Sequence, residues 1–115
     1  MKIYIAAPLS PELAKELETF LGEARTQPDP TGLRDKAAEL IIRMTNECLD
    51  HYYLRGAEKL GLGLISRQAT ALGLKSASAG IALFVRRIAG SLDGAQVRKM
   101  ADLIEELILE VPPEA

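Results

Sequence analysis

An all-α fold, a four-helix bundle-like domain with a short extended N-terminal arm, is predicted by three features of the 115-residue sequence. Leu and Ala supply 34 residues and Val only three. Unbranched side chains lose little rotamer freedom in a helix, whereas strands draw on β-branched and aromatic residues. Apolar residues recur at helical spacing over four long stretches. Strand-like alternation is confined to Ile3 and Ile5, and a lone strand has nothing to pair with inside the chain.

The elements follow in order. Residues 1–9 form the arm, irregular or paired with the same arm of another subunit. Ser10-Pro11-Glu12 starts the first helix: Ser accepts from an orphan amide, Pro is tolerated at the first position, and Glu complements the positive end of the dipole. Leu13, Leu17, Phe20, Leu21 and Ala24 share one face, and the helix ends near Arg25. Asp29 or Thr31 caps a second helix from about Thr31 to about Leu60, with its stripe through Leu33, Ala37, Leu40, Ile41, Met44, Cys48 and Tyr52. Gly61-Leu62-Gly63 then turns or kinks the chain.

From Leu64 to Ala89 the row Ala69, Gly73, Ala77, Gly80 lets another backbone approach closely, and the helix is expected to be the most buried of the four. Asp93-Gly94-Ala95-Gln96 has capping-box spacing for the last helix. Its stripe runs through Val97, Met100, Ala101, Ile104, Leu107, Ile108 and Val111, and Pro112-Pro113 stops it, leaving 112–115 as a flexible tail. The whole of 1–115 reads as one helical domain.

Composition narrows the function classes. The charged fraction is 26% and the net charge −2, with Lys and Arg spread along the chain, so there is no basic tail for a polyanion or an anionic membrane. The longest uncharged run, Ser76 to Val85, is about half of what a bilayer helix needs, so no membrane partner is expected. The short apolar run Ile3 to Ala7, cut off by Pro8, lacks the form of a signal peptide. The lone Cys48 fits a reducing compartment, and a cytoplasmic location is expected.

Two constellations carry candidate chemistry. Glu47 and His51 lie four apart, with Asp50 between them and Tyr52, Tyr53 and Arg55 beside them. They could hold a metal or exchange a proton, with Glu105 and Glu106 completing the site. A di-iron bundle needs a second Glu-x-x-His, which a chain with one His lacks, and a solvated ion-pair row is the commoner explanation. No cofactor is expected, since Gly61-Leu62-Gly63-Leu64 lacks the Lys-Ser/Thr of a phosphate loop.

The second constellation, Gln68-Ala69-Thr70-Ala71-Leu72-Gly73-Leu74-Lys75-Ser76, resembles the core of the helix-turn-helix family. The resemblance implies a turn at Gly73, a recognition helix behind it, and nucleic-acid contacts from Gln68, Lys75, Arg86 and Arg87. Ile81 and Phe84 depart from that pattern, standing where a recognition helix presents polar side chains. The competing reading is one continuous core helix. Separately, Met1 to Leu9 resembles the opening strand of nucleoside deoxyribosyltransferases over nine residues, but the parallel strands of that fold do not follow.

Apolar residues occur on more than one face of the second and third helices, as at Ile41-Ile42 and Leu83 to Val85, more than a single core of this size absorbs. A two-fold homodimer is the commonest way to bury such a surplus. The leading expectation is therefore a non-enzymatic interaction or regulatory module acting as a homodimer, with a further protein partner possible. A DNA-binding regulator and a metal or acid/base bundle rank below it.

Overall fold

The computed structural model describes residue 3 and residues 6–108. Five α-helices carry the fold: α1 (Pro11–Thr26), α2 (Arg34–Leu49), α3 (Arg55–Lys59), α4 (Leu64–Ala89) and α5 (Gly94–Leu107). A 3-10 turn, Pro30–Leu33, leads into α2, and a π-helical turn, Asp50–Leu54, joins α2 to α3 without a break in right-handed helical geometry. Residues 34–59 therefore form one rod, and the chain is a set of four rods: all-α, with no strand among the described residues.

Local chemistry sets the ends. Ser10 caps α1, its Oγ accepting from the Leu13 amide at 3.3 Å. Asp29 does the same for the 3-10 turn through the Thr31 amide at 3.2 Å. Asp93 and Gln96 exchange side-chain and backbone bonds at 2.8 and 2.9 Å, a complete capping box. Gly61 to Gly63 is a full turn. Gly61 adopts φ +67°, its amide donates to Glu58 O at 3.0 Å, and the Leu62 amide donates to Ala57 O at 3.2 Å. That pair of bonds is a Schellman ending, which places a left-handed residue just past the helix and so favours glycine.

The core lies where α1, α2 and α5 meet. Leu13, Leu17, Phe20 and Ala24 of α1 close on Ala37 and Leu40 of α2 and on Val97, Ala101 and Ile104 of α5. The α1 and α5 stripes expected from periodicity supply it, except that Leu107 of the α5 stripe is exposed. Ion pairs pin the outside: Arg25 bridges α1 to Asp102 (3.1 Å) and Glu105 (2.5 Å) of α5, while Glu16 takes Lys36 (3.2 Å) and Arg43 of α2.

Three expectations need correction. The helix α4 is not the most buried but the most exposed: it packs on the α2–α3 rod alone, and only Ala89 is buried in 26 residues. Second, α5 stops at Leu107 rather than at the prolines, because Ile108 turns extended (ψ 123°). Third, the α2 stripe does not carry through Tyr52. The π turn adds a residue to the helical repeat, so Tyr52 and Tyr53 point to solvent while Leu54 and Ala57 turn inward. Of the arm, residues 6–9 lead into α1 without regular structure; Met1, Lys2, Tyr4 and Ile5, like Val111 and the 112–115 tail, lie outside the described residues.

Candidate functional site

The Glu47 constellation is taken apart by a residue far away in sequence. Both carboxylate oxygens of Glu47 accept from Ser10, one from its amide at 2.6 Å and the other from its hydroxyl at 2.8 Å. Glu47 thus fastens the N-terminus of α1 to the far end of α2. Asp50 is exposed at the start of the π turn. His51 is half-buried and meets the edge of Tyr52, with ring centroids 5.4 Å apart. Glu105 is engaged with Arg25 across the molecule. Among the described residues no three His, Cys, Asp or Glu side chains gather as a metal-binding group.

The helix-turn-helix segment contains no turn. Residues 64–89 form one helix through Gly73, whose φ is not positive, so the recognition geometry implied by the resemblance is absent. Gln68, Lys75 and Arg86 are all exposed, and their spacings of seven and eleven set them along one flank of α4; Arg87 lies on another side. Asp50 and Lys75, from the two constellations, do come together: they line a small recess between α2 and α4, where Ser78 Oγ donates to Asn46 Oδ1 at 2.5 Å.

Two features that composition alone did not locate dominate the surface. One is the outward side of α4. Thr70, Leu74, Ser78, Ile81, Ala82, Val85 and Ala89 form the stripe turned to α2. The rest of the helix keeps apolar side chains in water, Leu83 at 67% and Phe84 at 63% exposure. The small row Ala69, Gly73, Ala77, Gly80 lies on this outward side, and a Cβ built on either Gly73 or Gly80 meets nothing within 4 Å. Glycine in a helix interior costs about 1 kcal/mol relative to Ala. Nothing among the described residues requires these two.

The other feature is an open groove of about 590 Å³ between α2 and α5. Ile41, Met44 and Cys48 form one wall, and Met100, Leu103 and Leu107 the other. It exists because α5 packs chiefly on α1 and the 3-10 turn and only sparsely on α2. Its exposed lining is almost wholly apolar, with Thr45, Gln96 and Lys99 as its polar members. Cys48, placed on the apolar stripe of α2 by its spacing, is half-buried on the groove wall.

Two carboxyls are perturbed by the hydrogen bonds they accept. The hydrogen bond from Arg43, seconded by that from Lys36, holds the Glu16 carboxyl below the usual glutamate range. Hydrogen bonds from the Thr31 hydroxyl and amide do the same for Asp29. Both groups are structural, and neither faces the groove.

No family model, no curated protein and no solved structure matches the chain significantly. No helix among the described residues is long and apolar enough to cross a membrane.

Proposed function

We propose that this chain is a non-enzymatic interaction or regulatory module that acts as a homodimer, with α4 at the interaction surface. The observation that carries the reading is the exposure of the apolar side of α4, where Leu72, Leu83, Phe84 and Ile88 stand in water although the helix is 26 residues long. Large apolar side chains left exposed in this number on one helix mark an interaction surface.

Overall dimensions support it. A globular monomer of 12.5 kDa exposes about 6,200 Å²; this chain exposes 8420 Å². Its radius of gyration is 16.3 Å, against about 13 Å for a compact domain near this length. A cytoplasmic setting is part of the proposal, supported by the single, half-buried Cys48.

Light scattering behind size-exclusion chromatography, at micromolar concentration, tests it. A mass twice that of the chain is the expected result, and a monomeric mass would sink the proposal.

A further inference from the structure

We infer that the occupant of the α2–α5 groove is the α4 helix of a second copy, seated by its small-residue flank, and that the exchange is reciprocal. This rests on the homodimer reading and names its interface.

The first support is relative placement. Ala38, Ile42 and Asn46 mark the side of α2 that faces α4, and Ile41, Thr45 and Cys48 mark the adjoining side that lines the groove. Ser78 bonds Asn46, and the C-terminal end of α4 sits by the start of α2, so α2 and α4 run antiparallel. At about 100° per residue, the right-handed helical phase then turns Gly73, Ala77, Gly80 and Phe84 to the same side of the α2–α4 pair as the groove. The molecule thus has one open apolar side with a hollow at one edge and a ridge at the other. A two-fold axis along the helices lays each ridge in the opposite hollow at once, which is the self-complementary contact that two-fold symmetry demands.

The second support is fit. A groove between two helices admits a third closely only where the incoming helix is slender, and the row at Gly73, Ala77 and Gly80 is slender without any internal cause. The third is area. The surface exposed beyond that of a compact monomer, about 2,200 Å² per chain and so about 4,400 Å² for two, falls in the range that obligate dimers bury, about 2,000–5,000 Å² in total.

The axis direction also fixes register. Rotation about an axis along the helices preserves height, so Ala77, next to the Ser78 that bonds Asn46, comes level with Cys48 of the opposite protomer. The test uses this. Ala77→Cys, treated with a short bismaleimide, should give a covalent dimer linked between Cys48 and the thiol introduced at position 77. Lys75→Cys, on the other flank, should give none, and adding Cys48→Ser to Ala77→Cys should abolish the link. In parallel Gly80→Leu and, on the groove wall, Leu103→Glu should each convert most of the dimer to monomer while circular dichroism stays helical. A dimer that persists in both variants and does not link 48 to 77 overturns this interface and leaves the homodimer standing. A monomeric wild type removes both.

Discussion

Glu47 shows how one side chain settles what a cluster is for. A carboxylate that accepts from both the amide and the hydroxyl of Ser10 is a tie between helix ends. Hydrogen bonds to an ionised group contribute about 1.5–3 kcal/mol each when partly buried. Glu47→Ala should therefore lower stability by about 2 kcal/mol, read from the urea midpoint, and frees Ser10 to cap α1 alone. If Glu47→Ala is neutral, the tie does not hold in solution. Local spacing could not reveal this role: it sees His51 four residues on, not Ser10, 37 residues back. The available signal was Ser10 itself, a predicted N-cap with an amide still in need of an acceptor. Gly61 is the opposite case, legible from sequence as a break and resolved by its φ of +67°. A side chain there meets no neighbour but must adopt left-handed geometry, at about 1 kcal/mol. Gly61→Ala should lose that amount in chemical denaturation, with helix content unchanged.

At the scale of elements, the α1–α2 pairing is fixed by apolar contacts and trimmed by Glu16 with Arg43 and Lys36. Because the folded state holds the Glu16 carboxyl below its unfolded value, the unfolded chain binds the proton more readily. The ion pairs thus contribute fully above the ordinary carboxylate range, about 4, and the contribution is lost as pH falls through the lower folded value. Thermal midpoints of the wild type should fall more steeply on acidification than those of Glu16→Gln, and parallel curves would remove the pairs from the balance. The pairs are solvated, so the difference should shrink in high salt. Caps and stripes of α1 and α5 were legible because each is amphipathic, one face apolar and one charged, and periodicity reports such faces directly. The burial of α4 was not. A helix apolar on several sides must be covered, but its sequence does not say whether by its own chain or by another, and α4 gains only the α2–α3 rod. The π turn was equally hidden, since no Pro or Gly marks Asp50–Leu54.

For the whole molecule the deciding quantity is how folding depends on concentration. A three-sided core of α1, α2 and α5 closes on itself, but α4 exposes Leu72, Leu83, Phe84 and Ile88, and the groove beside it exposes Leu103 and Leu107. Each large apolar side chain moved from water to a packed interface contributes about 1.5–3 kcal/mol. The four of these that lie on the groove side, Phe84, Ile88, Leu103 and Leu107, are already partly covered, so together they contribute several kcal/mol, a large share of the total stability of an ordinary domain, about 5–15 kcal/mol. If a second copy covers that surface, folding and association are linked by mass action: the thermal midpoint must rise as protein concentration rises, and must stop rising with Gly80→Leu. Gly73→Ala sharpens the contrast. In an isolated monomer the added methyl meets nothing and replaces a poor helix former by the best one, stabilising by about 1 kcal/mol. Against a closely packed neighbouring helix the same methyl collides, and the midpoint falls. A concentration-independent midpoint together with a stabilising Gly73→Ala would mean that α4 stands in water; a rising midpoint with a destabilising Gly73→Ala would place another backbone against it.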